Sequence, residues 1–80
     1  MDKIETTQKL NGIISKYLKI PVADLNDDVS YDEEPAWDSV THLKMISEIE
    51  ETFKVVFDVD EIVLLENVGK IRESVLKKLE

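Results

Sequence analysis

Apolar positions recur with helical spacing in three stretches of the chain and lose that spacing between them. Over residues 3–19, Leu10, Ile13, Ile14, Tyr17 and Leu18 return every three or four residues, with Ile4 preceding them. This predicts an amphipathic helix. Asp2 with Glu5 forms an N-terminal capping pair, and Lys16 and Lys19 suit the negative end of the helix dipole. Gly12 costs about 1 kcal/mol inside such a helix, and close packing is expected to offset it. Pro21 bars continuation.

Residues 20–37 have no helical period. Loops of this length in a small domain are functional or wrapped onto the fold. The apolar residues Ile20, Val22, Leu25, Val29, Tyr31 and Trp37 are its expected anchors, with a short helical turn at 22–26. The pattern is strongest over residues 38–53. At 100° per residue His42, Met45, Ile46, Ile49 and Phe53 share one arc about 100° wide. Thr41, Lys44, Glu48 and Glu51 fall opposite, and Asp38 can cap the start. Residues 54–57 read as an extended link. A short helix over 59–65 follows Asp58, with Ile62 and Leu65 inward. Asn67 caps a last helix over 68–79, with Val68, Ile71, Val75 and Leu79 inward and Lys77 and Lys78 in its final turn. The sum is an all-α fold: a small four-helix bundle with three longer helices, one short helix and a long loop between helices 1 and 2.

Composition narrows the function. Eighty residues make a single domain, 1–80, and 42% hydrophobic residues are enough for a core. No apolar run approaches the roughly 20 residues that span a bilayer. The N-terminus has no apolar signal region, so a cytoplasmic location is expected. Without cysteine there is no disulfide framework and no thiolate metal site. A single histidine argues against zinc. Asp27, Asp28, Asp32, Glu33 and Glu34 lack the central glycine and final glutamate of a calcium loop, so no metal site is expected.

Charge is segregated along the chain. Residues 20–66 carry fourteen acids against two bases, Lys44 and Lys54, whereas the two ends together carry four acids and eight bases. The acidic middle repels nucleic acid and anionic membranes and steers basic partners. The alternative is a coat that only keeps a small protein soluble.

Ser39 lies in the centre of this acidic band, in the first turn of the best-defined helix. Backbone N–H groups there lack intrahelical partners, a setting that tolerates a phosphate on the serine. Spacing alone favours an ordinary cap, because Ser and Asp are common caps. A nucleophile paired with His42 at i+3 lacks an orienting third group and an oxyanion hole, and His42 belongs to the apolar stripe, so no catalytic residue is expected. Val40 points away from that stripe. With Leu43 and Ser47, flanked by Glu48 and Glu51, it forms a candidate docking patch beside Ser39.

The stretch WDSVTHLKMISEIEETFKVVFDVDEI, residues 37–62, resembles the acyl carrier protein family. Asp38-Ser39 followed by an aliphatic residue is similar to its Asp-Ser-Leu attachment motif. The resemblance continues through Glu50, Glu51 and Phe53, the acidic short helix, and Asn67-Val68 opening the last helix. Leu10, Ile13, Ile14, Leu18, Ile20 and Leu25 also match the usual apolar positions of the first helix and loop. The resemblance implies that a phosphopantetheinyl transferase joins 4′-phosphopantetheine from coenzyme A to Ser39 through a phosphodiester. The arm's thiol then carries acyl groups as thioesters for the enzymes of fatty-acid, polyketide or another specialised synthesis. It implies a carrier that is not an enzyme. Its partners would be acyl-loading and acyl-processing enzymes with basic docking patches. Asp38 would serve recognition by the transferase. No nucleic acid is implied, and the chain is expected to be a monomer.

Three departures stand out. Val40 replaces the usual leucine, and Thr41 and Lys44 stand where the family often has acids. Trp37 and Thr41-His42-Leu43 look more like specialised carriers. His42 falls near where family members shelter an acyl chain, and its polar ring favours short or polar cargo. Two alternatives stay open: an aminoacyl or peptidyl carrier loaded by an adenylating ligase, and an unmodified helical interaction module.

Overall fold

A computed structural model describes residues 2–80. Its helices are α1 (Lys3–Leu18), α2 (Ser39–Phe53), α3 (Val59–Leu64) and α4 (Val68–Lys78), with a 3-10 turn at Val22–Asp24. Each α-helix starts on a side chain that accepts a backbone N–H three residues on. Asp2 accepts from Glu5, Asp38 from Thr41, Asp58 from Glu61 and Asn67 from Lys70, all at 2.8–3.0 Å. Such caps contribute about 1 kcal/mol each. At Asp58 the box is reciprocal, because Glu61 accepts the Asp58 N–H in return. α1 and α2 end on lysines in the left-handed conformation, Lys19 at φ 59° and Lys54 at φ 57°. Their N–H groups close the last turns onto Ser15 and Glu50.

α1 packs against both α2 and α4. The core joins Leu10, Ile13, Ile14 and Leu18 of α1, Met45, Ile46, Ile49 and Phe53 of α2, and Val68, Ile71 and Val75 of α4. Leu25, Trp37, Val55, Phe57 and Leu65 complete it from the connecting segments. The whole apolar stripe expected on α2 is buried, His42 included.

Four expectations are corrected. Ile4 is exposed and Thr6 is buried in its place. At 100° per residue Thr6 lies within about 80° of Leu10, Ile13 and Ile14, while Ile4 lies opposite Ile13. Val22 is exposed because the 3-10 turn turns it outward and buries Leu25 instead. Leu79 follows the end of α4 and is exposed. Gly12 meets no packing partner: among the described residues, and apart from its chain neighbours and its own helix backbone, nothing lies within 4 Å of where a Cβ would sit, so close packing does not offset its helical cost.

The close approach occurs at Gly69 instead, where a Cβ would stand 2.9 Å from Cβ of Asp27. This lets the long loop lie against the start of α4. Gly69 N–H donates to Asp27 C=O, Val68 N–H to Val29 C=O, and Tyr31 N–H to Glu66 C=O. Arg72 clamps the same loop. It donates to the Asp27 carboxylate at 2.7 Å, to Leu25 C=O at 3.2 Å and to Asn11 of α1 at 3.0 Å. The loop is therefore fixed up to Tyr31, eight residues before Ser39.

Candidate functional site

Ser39 is the first residue of α2 and is exposed. Asp38 does the capping. Its carboxyl is held below the ordinary carboxylate range, first by the Thr41 N–H and then by the Thr41 side chain. The serine hydroxyl is therefore not consumed as a cap. It lies 3.1 Å from the hydroxyl of Tyr31.

Behind Ser39 is a buried polar chain. Trp37 Nε1–H donates to His42 Nδ1 at 2.9 Å. Since Nδ1 accepts, the ring proton is on Nε2, which donates to Ile62 C=O at 2.9 Å. Both ring nitrogens are occupied, and neither engages Ser39. A Ser39–His42 dyad is thereby ruled out. His42 instead ties α2 to α3. Tyr31 packs edge-on against both rings, with centroids 5.9 Å from Trp37 and 5.8 Å from His42.

Tyr31 and His42 border a cleft of about 390 Å³ that opens at Ser39. Its apolar walls are Leu43, Ile62, Val63 and Leu65, and its polar rim includes Asp32 and Glu66.

The expected docking residues divide into two sets. Val40 and Leu43 are exposed beside Ser39. Leu43, Lys44, Ser47, Glu48 and Glu51 border a separate groove of about 450 Å³ together with Tyr17. Tyr17 was not expected there, since the spacing of α1 places it on the core face. Glu48 is not a free charge. Lys16 Nζ contacts its two carboxylate oxygens at 2.6 and 2.8 Å, and Tyr17 O–H donates to it at 2.8 Å. Lys16, then Tyr17, hold its carboxyl below the usual range. The exposed charges left on this face are Lys44 and Glu51. Asp27, Glu61 and Glu66 are likewise paired, with Arg72, Lys78 and Lys70. Asp32, Glu33 and Glu34 form no ion pair among the described residues. The acidity next to Ser39 is thus concentrated in the loop rather than on α2.

Sequence reasoning missed Tyr31 and the Ile62 carbonyl as parts of the site. Nothing in helical spacing links either to Ser39 or His42.

A family profile described as a phosphopantetheine attachment site matches residues 8–75. This chain belongs to that family. The solution NMR structure of a holo acyl carrier protein from Geobacter metallireducens is similar, with a TM-score of 0.78 and 31% identity. The alignment covers 92% of this chain and 85% of that one. No curated protein sequence matches. The acyl carrier protein family accounts for the four-helix fold and for a phosphopantetheine prosthetic group. Its members are carriers rather than enzymes, served by a phosphopantetheinyl transferase and used by biosynthetic enzymes. Among the described residues, no helix of this acyl carrier protein is long and apolar enough to cross a membrane.

Proposed function

We propose that Ser39 receives the 4′-phosphopantetheine arm and that residues 1–80 act as a single monomeric carrier domain in the cytoplasm. The observation that carries this reading is the division of labour at the start of α2. Asp38 caps the helix, and Ser39 presents an exposed hydroxyl at the mouth of the cleft. The residues present fit the group: no side chain closes over Ser39, and the cleft walls are apolar. When bound, the group supplies a thiol that holds an acyl cargo as a thioester. The chain's own part is to position the arm, to shelter what lies against Leu43, Ile62, Val63 and Leu65, and to dock.

Docking uses Val40 and Leu43 as apolar contacts beside Ser39, with Asp38 addressed by the transferase. Lys44, Ser47 and Glu51 read the partner along α2, and Glu48 holds the groove's shape through Lys16. Basic patches on partners are drawn by Asp32, Glu33, Glu34 and Glu51, which favours fast, reversible encounters. Lys44 reverses the sign on this face, supporting partners of a specialised pathway over those of bulk fatty-acid synthesis. Lys44→Glu is expected to raise turnover by standard fatty-acid enzymes and lower it with the native partner. Unchanged turnover in both assays contradicts the docking role.

Treatment with a phosphopantetheinyl transferase and coenzyme A, followed by peptide mass mapping, tests the attachment residue. The added mass is expected on the peptide holding Ser39. Addition at Ser30 or Ser47, or no addition, overturns the assignment. The Asp32 carboxylate on the cleft rim keeps an aminoacyl or peptidyl cargo as the second reading. Incubation of the loaded protein with adenylating ligases, ATP and either fatty or amino acids separates the two.

A further inference from the structure

We infer that Tyr31 is a positioning residue for the phosphodiester, donating its phenolic proton to the group on Ser39 and aiming the arm along the cleft. This rests on Ser39 as the attachment residue.

A phosphodiester is anionic and needs hydrogen-bond donors. The start of α2 offers fewer than a bare helix end. The Thr41 N–H is bound to the Asp38 carboxylate and the His42 N–H to the Asp38 carbonyl. The nearby charges oppose the group: Asp38 precedes it, and Asp32, which forms no ion pair among the described residues, stands on the cleft rim. Tyr31 is the side chain bonded to Ser39 Oγ, at 3.1 Å, and it lines the same cleft.

In the unmodified protein either hydroxyl can donate in this bond. Esterification replaces the serine O–H by an O–P bond, so the serine oxygen can then only accept. Tyr31, a donor without charge, is left to supply the proton to the ester or phosphoryl oxygen. Its own position is fixed independently of that bond. Its backbone N–H donates to Glu66 C=O at 2.8 Å, and its ring is held edge-on by Trp37 and His42. Those rings are in turn locked through Ile62 C=O. The phenol is thus preorganised at the site rather than recruited to it.

Phosphorus NMR of the loaded protein tests this, with Tyr31→Phe as the variant and Tyr17→Phe as the control, since the Tyr17 hydroxyl serves Glu48 instead. The urea-unfolded loaded protein gives the reference for an unheld phosphodiester. The Tyr31→Phe resonance is expected to move toward that reference, with Tyr17→Phe staying at the wild-type position. A folded, loaded Tyr31→Phe protein with the wild-type resonance overturns the role of Tyr31 while leaving Ser39 in place. A wild-type protein that takes no mass from coenzyme A removes both readings. A measurement without substitution gives a second check. Wild-type loaded protein is expected to show nuclear Overhauser contacts between the Tyr31 ring protons next to the hydroxyl and the methylene beside the phosphate. Their absence contradicts the proposal.

Discussion

At its C-terminal end α2 buries Ile46, Ile49 and Phe53, which have no polar side-chain atoms to satisfy. At its N-terminal end the buried groups are Trp37 and His42, and every side-chain nitrogen of the pair has a named partner. The same helix therefore meets two kinds of constraint. The apolar end needs volume, and several aliphatic side chains of similar size fill it within about 1.5 kcal/mol. The polar end needs particular atoms, because a buried donor or acceptor left alone costs about 1–3 kcal/mol. That difference explains why the bundle can be held by generic packing while the ground beside Ser39 is specified atom by atom.

Three substitutions sharpen the contrast. Ile49→Ala acts on the apolar end. Ile49 is fully buried, and the truncation is expected to cost about 2–5 kcal/mol, a large part of the stability of a domain this small. Urea unfolding measures it, and Ile49→Val should recover most of the loss. Trp37→Phe acts on the polar end. It keeps an aromatic ring but strands His42 Nδ1, for an expected loss of about 1–3 kcal/mol in the same assay. It should also speed hydrogen exchange in α3 more than in α1, because His42 links α2 to Ile62. A Trp37→Phe protein as stable as the wild type, with unchanged exchange in α3, would erase the distinction between the two ends.

The smallest effect is expected at the exposed pair outside both ends. The Glu48 carboxyl is held below its ordinary value of 4.5, chiefly by Lys16. A lowered folded-state value contributes stability that is present above the ordinary value and lost as pH falls through the folded one. Lys16 is raised by the same partner, so its share is lost only as pH rises through its own raised value. The unfolding midpoint of Lys16→Met should therefore lie slightly below that of the wild type at pH 7. The gap should close on acidification below 4.5, the ordinary Glu48 value. A gap that persists in acid would mean that Lys16 acts by packing rather than by charge. Surface ion pairs are weak in general, so this gap is expected to be the smallest of the three effects.

How far the sequence could be read follows the same division. Leu10, Ile13 and Ile14, or Met45, Ile46 and Ile49, announce themselves because a helix brings neighbours three and four apart onto one face. The caps at Asp2, Asp38, Asp58 and Asn67 are equally local. Ser39, the proposed attachment residue, was legible from residue type and context. The bonds that shape its surroundings were not, because they join residues outside any helical register: Tyr31 with Ser39, Trp37 with His42 and His42 with Ile62. The clamp of Asp27 by Gly69 and Arg72 spans more than forty residues and depends on how the loop folds back. The charge count also misled in one respect. It located the acids in the middle of the chain but could not show that Glu48, Asp27 and Glu61 are taken by lysines and arginine from the ends.

The central claim is that Ser39 carries the arm, and the intact mass of the protein purified from its native host tests it most directly. The wild-type chain is expected to run heavier than its sequence by one 4′-phosphopantetheine, with any cargo added as a thioester that hydroxylamine removes. Ser39→Ala, folded by circular dichroism, is expected at the bare sequence mass. A wild-type chain at its bare mass, or a Ser39→Ala chain that still bears the addition, would contradict the account.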